Sequence, residues 1–262
     1  MPSDTEAALA RLYDLDLSAD LGDLDLYLAL AARTNRPIIE LAVGSGRIAV
    51  PLAAAGHRVT GIDSDVAMLD RARARAAGAG AKTARRLSLV RGDLLEPRPD
   101  DAGGFGLAIL ALNSILLLGG PREQRQAVAV MAGLLAPGGI AAVDAWQPLA
   151  DDLVRFDGRL SLEWLRRDPE SGRDVAKLAS AWYEGATRAV TLTTIFDEST
   201  PGTAPIRWTR VDALRLLSAD ELRAHVEDAG LVVEVLAGDY DLSPLGPGAE
   251  RAILVARKPA PD

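Results

Sequence analysis

The sequence of 262 residues contains no cysteine and only two histidines, His57 and His225. The absence of cysteine excludes disulfide bonds, a thiolate nucleophile and zinc sites with cysteine ligands. Two histidines are too few for a histidine-built metal site, so we expect no metal. We expect His57 to lie in a surface turn and His225 to be solvated on a helix. Much of the common catalytic chemistry is therefore excluded.

An excess of positive charge is also missing. The chain has 29 basic and 37 acidic residues and a net charge of −8, whereas nucleic-acid binders usually present a basic surface. The basic clusters at Arg71, Arg73 and Arg75, and at Arg85 and Arg86, are interpreted as solvated helix faces. We expect no nucleic-acid partner.

Long apolar runs are absent as well. No run approaches the ~18–20 residues that cross a bilayer, and the first residues lack the basic start of a signal peptide. We therefore expect no membrane association and a cytoplasmic location. The oligomeric state cannot be read from the sequence, and a homodimer is one option.

Short apolar runs alternate with helical segments from residue 37 to 144, which predicts parallel βαβ units in an α/β fold. Residues 150–217 are richer in Thr, Val, Trp and Leu and predict three or four antiparallel strands. We divide the chain into a helical cap (1–36), a ligand-binding core (37–149), an antiparallel β insert that covers the substrate (150–217), and a final helix with the last two core strands (218–262).

The segment Glu40–Gly46 ends a predicted strand in two glycines, and a helix follows at once. Glycine permits positive φ and close approach of a ligand, while a helix N-terminus presents free N–H groups. By itself the loop fits a dinucleotide or the nucleoside of S-adenosylmethionine (SAM) equally well.

Of three carboxylates near this loop, Glu40 distinguishes the two interpretations, whereas either cofactor would use Asp63. Glu40 lies four residues before Gly44, where an acid suits a cationic ligand and repels a pyrophosphate. Asp63 closes the second strand, where it can accept both ribose hydroxyls. Asp93, which follows the third strand, can accept from an adenine amino group. The pattern favours a positively charged thio-nucleoside.

With these motifs the chain resembles the class I SAM-dependent methyltransferases, in particular the small-molecule branch of glycine/sarcosine and sugar-amine N-methyltransferase-like enzymes. Matching segments also include Asn113-Ser114 and Leu135–Gly139. The resemblance implies a seven-stranded, mostly parallel Rossmann-like sheet with helices on both faces, whose last strand is antiparallel, and a small antiparallel insert acting as a lid. Ala42 stands where the family often has glycine.

The resemblance also implies which residues bind the cofactor, SAM. Those assigned to its methionine portion, ribose, adenine and reacting methyl are Tyr13, Glu40, Ala42, Gly44, Gly46, Asp63, Ser64, Met68, Gly92, Asp93, Leu94 and Leu112. The small-molecule acceptor is expected at the carboxyl ends of the strands, beneath the insert. Its candidate wall residues are Asn113, Trp146, Trp182 and Tyr183, and its candidate catalytic residues are Tyr183, Asp144 and Tyr240.

Three functions remain open from the sequence. The first is methylation of an amine or a natural-product hydroxyl by displacement at the sulfonium methyl, driven mainly by proximity and orientation. The second is a protein that binds SAM without transferring a methyl group, as a binder or as a catalyst of another reaction. The third is a nicotinamide-dependent oxidoreductase, which Glu40 disfavours.

Overall fold

The computed structural model describes residues 3–17, 22–96 and 103–260. Its strands, in chain order, are β1 (Ile38–Leu41), β2 (Val59–Asp63), β3 (Leu87–Arg91), β4 (Phe105–Leu110), β5 (Leu135–Trp146), β6 (Ser161–Arg167), β7 (Asp174–Glu184), β8 (Ala189–Ser199), β9 (Ile206–Arg215), β10 (Val232–Ala237) and β11 (Arg251–Arg257). Its helices are α1 (Asp4–Asp16), α2 (Leu24–Ala31), α3 (Ala49–Ala54), α4 (Val66–Gly78), α5 (Ala81–Arg86), α6 (Pro121–Leu134), α7 (Ala150–Arg155) and α8 (Ala219–Asp228).

Seven strands form the larger sheet in the order β10-β11-β5-β4-β1-β2-β3. β1 to β5 pair in parallel, and β11 is antiparallel to both β5 and β10. All four residues of β1 are buried, as expected of a central parallel strand. After β1 the chain continues to β2 on one side of the sheet, and after β4 it continues to β5 on the other side. Because these two connections diverge, a crevice opens at the carboxyl ends of β1 and β4. The predicted fold is confirmed.

Helices cover both faces of this sheet. Apolar side chains of α2 and α3 pack on the face that includes Ile38 and Ile109, and those of α6 and α8 pack on the face that includes Ile39 and Leu110. Neighbouring residues of β1 therefore point to opposite faces. Glu40 shares a face with Ile38, next to α2 and α3.

The other four strands form a separate antiparallel sheet in the order β6-β7-β8-β9. Val175 and Phe196 on its inner face pack against Leu12 and Leu15 of α1. Its outer face is opposite and carries four large apolar side chains that are 58–71% exposed, Leu162, Leu165, Trp182 and Val211. The sheet is thus attached to the rest of the molecule through α1 on its inner face, and Arg215 of β9 adds an ion pair to Glu221 of α8.

Three short elements were not predicted: α5, α7 and a 3₁₀ turn at Ser114–Leu117. Each has four to six residues, too few for a helical period to stand out from its neighbours. Among the described residues, no helix is both long and apolar enough to cross a membrane.

The expectation that His225 is solvated was wrong. His225 is only 4% exposed, because it lies three residues after Leu222 and next to Val226 on the buried stripe of α8. Burial lowers the pKa of its imidazole, and neither ring nitrogen has a partner in the described structure. The expectation for Arg71 was also wrong, since its guanidinium is partly buried and binds Asp14 of α1. Arg75 is exposed as expected, although it also binds Asp14.

Candidate functional site

The loop after β1 is built from three residues in the left-handed region. Ala42, Gly44 and Gly46 have φ values of 55°, 54° and 77°. A Cβ on Gly46 would lie 3.0 Å from Val50 Cγ2 and 3.2 Å from Ala72 Cβ, whereas a Cβ on Gly44 would meet no atom within 4 Å. Gly46 is thus required by helix packing, while the backbone of Gly44 faces open space that a ligand can enter.

Glu40 lies beneath this loop with an unsatisfied oxygen. The residue is 4% exposed, and no donor in the described structure reaches Oε2. Burial raises the pKa of the carboxyl to about 8, although the Arg47 guanidinium and the Ala49 backbone N–H favour the charged form. Arg47 itself makes two hydrogen bonds to Asp23, at 2.5 and 2.6 Å. An unpaired buried acceptor costs ~1–3 kcal/mol, so the site favours a ligand that donates to it.

Asp63 connects the end of β2 with the same loop. Its Oδ2 accepts from the N–H of Gly44 at 2.8 Å, and its Oδ1 accepts from the N–H of Asp65 at 2.9 Å. Asp65 in turn caps α4 by accepting from Ala67 N–H at 2.7 Å. Burial raises the pKa of Asp63. The carboxylate shapes the loop by accepting backbone hydrogen bonds at both oxygens, and it has lone pairs left for ribose hydroxyls.

Helix α1 lies over these elements. Tyr13 packs against a buried cluster that includes Met68 of α4, and burial raises the pKa of its phenol to about 12. Asp14 accepts hydrogen bonds from Ser45 Oγ in the glycine loop and from Arg71 Nε, both at 2.5 Å. The predicted cofactor residues Tyr13 and Met68 are therefore brought together beside the loop.

The third predicted carboxylate has a local partner. Asp93 is exposed, and its Oδ1 accepts from the N–H of Leu95 at 2.8 Å. Gly92 donates its N–H to the carbonyl of Asp63 at 3.0 Å, which places this turn beside β2. Leu94 packs against the core on the α6 side, and Ser64 is exposed. The assignments of Asp93, Leu94 and Ser64 to adenine stay predictions.

A second left-handed turn lies across the crevice at the end of β4. Leu112 and Asn113 have φ values of 50° and 65°, which is unfavourable for residues other than glycine. Asn113 donates its backbone N–H to Asp144 Oδ1 at 3.1 Å, and its side-chain Oδ1 accepts from Trp146 N–H at 2.6 Å. The end of β5 therefore holds this turn in place.

Asp144 is fully buried, and burial raises the pKa of its carboxyl. Tyr240 donates its hydroxyl to Asp144 Oδ2 at 2.6 Å, and Arg251 donates to the Tyr240 hydroxyl at 2.9 Å while its guanidinium lies 4.8 Å from the tyrosine ring centroid. Two of the predicted catalytic residues thus bind each other. This geometry is suited to positioning the Leu112–Asn113 turn.

The aromatic candidates divide between two places. Trp146 packs against Phe156 with ring centroids 5.7 Å apart, and Tyr183 donates its backbone N–H to the Phe156 carbonyl at 3.1 Å. Tyr183 faces inward on β7, on the same side as Val175. The adjacent Trp182 points to the opposite face and is 58% exposed. The structure therefore brings Trp146 and Tyr183 together and leaves Trp182 outside.

Phe156, Asp23 and Arg47 were missed by the sequence analysis. Phe156 carries no motif signal. Asp23 and Arg47 are 24 positions apart, so nothing local predicted that they pair next to Glu40. Within the described ranges, no group of three or more His, Asp or Glu side chains is arranged to hold a metal ion.

Residues 38–139 match the family model described as a methyltransferase domain. The chain is 28% identical over 240 residues to the dTDP-3-amino-3,4,6-trideoxy-alpha-D-glucopyranose N,N-dimethyltransferase of Streptomyces venezuelae, covering 87% of this chain and 92% of that one. It is 33% identical over 133 residues to an uncharacterized protein of Mycobacterium tuberculosis, covering 51% of this chain. The chain spans about half (45%) of the length of that curated relative.

Two solved structures are similar over nearly the whole chain. The CcbJ methyltransferase from Streptomyces caelestis has a TM-score of 0.78 at 22% identity, covering 92% of this chain and 97% of that one. SAM-bound CalS10, an amino pentose methyltransferase from Micromonospora echinaspora, has a TM-score of 0.70 at 21% identity, covering 94% and 96%. At these identities the likeness establishes the fold.

Proposed function

Because residues 38–139 match the family model of a methyltransferase domain, we propose that this chain is a SAM-dependent methyltransferase that acts on a small molecule. The observation that carries the proposal is the unpartnered Oε2 of Glu40 beneath the open backbone of Gly44. The α-ammonium group of SAM supplies the positive charge and the donors that this oxygen lacks. A pyrophosphate would place negative charge there instead.

The remaining residues of the site fit the same cofactor. Asp63 has lone pairs free for a ribose, and Tyr13 and Met68 form an apolar wall beside the loop. SAM supplies an electrophilic methyl group to this site. Leu112 and Asn113 form the opposite side of the crevice, where they would position the acceptor beside that methyl group.

The protein's contribution to the reaction is mainly orientation, which can lower a barrier by ~7–11 kcal/mol. Asp144, Tyr240 and Arg251 hold the Leu112–Asn113 turn, so its strained backbone is fixed before the acceptor binds. Burial raises the pKa of Tyr240, which keeps its hydroxyl protonated as a donor. We propose an amine acceptor, because an amine can lose its proton to water and the Streptomyces relative is an N,N-dimethyltransferase by name.

Formation of S-adenosylhomocysteine tests this function. Purified protein incubated with SAM and a panel of amino sugars is expected to produce it in amounts that depend on the acceptor. Tight SAM binding without product across amine and hydroxyl acceptors would favour the binder, and a thermal shift with NAD but none with SAM would favour the oxidoreductase. A cytoplasmic location stays a prediction that accompanies this function.

We further propose that the protein is a homodimer joined through the outer face of the four-stranded sheet. Leu162, Leu165, Trp182 and Val211 are all exposed on that face, and large exposed apolar side chains gathered on one face are typical of protein–protein contact surfaces. Light scattering is expected to give twice the chain mass. Leu165→Glu should then give a monomer, whereas Val154→Glu, which changes an equally exposed apolar residue on α7, should not. A monomeric wild type would contradict this assembly.

A further inference from the structure

Two neighbouring cavities lie at the opposite edge of the large sheet, where β1, β2 and β3 begin. One, of about 350 Å³, is lined by three arginines, Arg58, Arg85 and Arg86. The other, of about 290 Å³, is lined by Arg36 and again by Arg58. Because Arg58 and Pro37 line both cavities, the two are neighbours, and four arginines line them in all.

The strand register brings two of these arginines side by side. Val59 of β2 pairs with Leu87 of β3, so Arg58 and Arg86 immediately precede paired residues on adjacent strands. Neighbouring strands are ~4.8 Å apart, so the two positively charged side chains leave the backbone side by side. Like charges that are close to each other repel unless an anion lies between them.

No carboxylate of the described residues neutralises this group. Elsewhere arginines are paired, as in Arg47 with Asp23 and Arg71 with Asp14, but Arg36, Arg58, Arg85 and Arg86 take part in none of the ion pairs of the described structure. Three segments form this edge: 32–39, 49–62 and 76–92. They contain basic residues but no Asp or Glu. In a chain of net charge −8, this is a locally positive edge.

The cavity also offers neutral donors. Thr60 and Ser88 line the larger cavity, and because they are register partners on β2 and β3, their hydroxyls lie on the same face of the sheet. Guanidinium groups bind phosphate oxygens through paired N–H donors, and hydroxyl groups add further hydrogen bonds.

We propose that this edge binds a small anion with two linked phosphoryl groups, a free pyrophosphate or the diphosphate of a nucleotide. Pyrophosphate offers one phosphoryl group to each of the adjacent residues Arg58 and Arg86, and the cavities of about 290 and 350 Å³ have the size of small-ligand sites. The site lies at the amino end of β2, and Asp63 lies at the carboxyl end, four residues or ~13 Å further along the strand. The bound anion is therefore distinct from the methyl acceptor and from SAM.

Isothermal titration with inorganic pyrophosphate at constant ionic strength tests this site without any measurement of methyl transfer. Wild type is expected to bind one pyrophosphate per chain. Arg58→Gln/Arg86→Gln should weaken binding at least tenfold, whereas Arg122→Gln/Arg223→Gln, which changes two exposed arginines outside this edge, should leave it unchanged. ADP binding more tightly than pyrophosphate would identify a nucleotide as the source, and equal affinities would identify the diphosphate alone.

Stability without ligand provides a second readout. If the arginines repel each other, Arg58→Gln/Arg86→Gln should unfold at equal or higher urea concentration than wild type at low salt, and salt should stabilise wild type more than the variant. The proposal is overturned if no pyrophosphate binds at 10 mM, if the double variant binds it as wild type does, or if the variant is less stable, since a carboxylate would then already neutralise the arginines. Tighter binding of an RNA oligonucleotide through the same arginines would overturn it as well.

Discussion

Replacement of Glu40 by glutamine should stabilise the free protein and weaken its binding of SAM. Glutamine has nearly the same shape, so it can occupy the buried position without a cavity. Burial raises the pKa of Glu40 from 4.5 to about 8, and a shift of about 3.5 units corresponds to roughly 5 kcal/mol of differential stability between the protonated and charged forms. The two properties should therefore change in opposite directions.

The sign of the pH dependence follows from proton binding. Between pH 4.5 and about 8 the folded carboxyl is more protonated than the unfolded one, so the free energy of unfolding falls as the pH rises through this window. Relative to Glu40→Gln, wild type should lose about 1.4 kcal/mol per pH unit there. Urea denaturation at pH 5.5, 7 and 8.5 measures this difference. Parallel pH profiles for the two proteins would refute the reasoning.

Binding of SAM should also report the protonation of Glu40. At pH 7 a carboxyl with a pKa of about 8 is mostly protonated, so pairing with an ammonium group must release close to one proton. Titration calorimetry in buffers of different ionisation enthalpy measures that proton. Glu40→Gln should release none at this site and bind SAM roughly 10- to 150-fold more weakly, because hydrogen bonds to charged groups contribute about 1.5–3 kcal/mol. Glu227→Gln, at an exposed position of α8, is the matched control.

Four further substitutions test other parts of the site. Gly44→Ala should weaken SAM binding at least tenfold, while the free energy of unfolding falls by only about 1–2 kcal/mol. If calorimetry gave the variant the affinity of wild type, the backbone of Gly44 would not be in contact with the ligand. Ala42→Gly should raise the urea midpoint by removing a left-handed alanine, worth about 1 kcal/mol, and an unchanged or lower midpoint would show that the turn is unstrained. Asp144→Asn should lower kcat for the acceptor at least tenfold, while KM for SAM stays within threefold. Tyr240→Phe should act in the same direction. A change confined to KM for SAM would contradict the role of Asp144 and Tyr240 in positioning the Leu112–Asn113 turn.

The sheet and the glycine loop could be predicted from the sequence because their signals are local. Buried parallel strands such as β4 appear as continuous apolar runs. The spacing of Glu40, Gly44 and Gly46 likewise predicts that all three lie at the turn that follows β1. Each of these features depends on residues within a few positions of one another.

The contacts that hold the site together are not local. Asp144 accepts from a tyrosine 96 residues away, and Asp14 accepts from Ser45 and Arg71 on two other elements. No periodicity records such pairs, so Asp144 and Tyr240 were assigned separately although the structure joins them. The opposite directions of Trp182 and Tyr183 depend on which face of β7 packs on α1, which becomes clear only when the sheet is assembled.

The distance from Glu40 Oε2 to the α-amino nitrogen of a bound cofactor tests the central claim most directly. In a crystal structure with S-adenosylhomocysteine, we expect this distance to be about 2.7–3.2 Å, a normal hydrogen bond, with the backbone of Gly44 against the ligand. A cofactor bound elsewhere, or bound here with Oε2 of Glu40 still without a donor, would contradict the account.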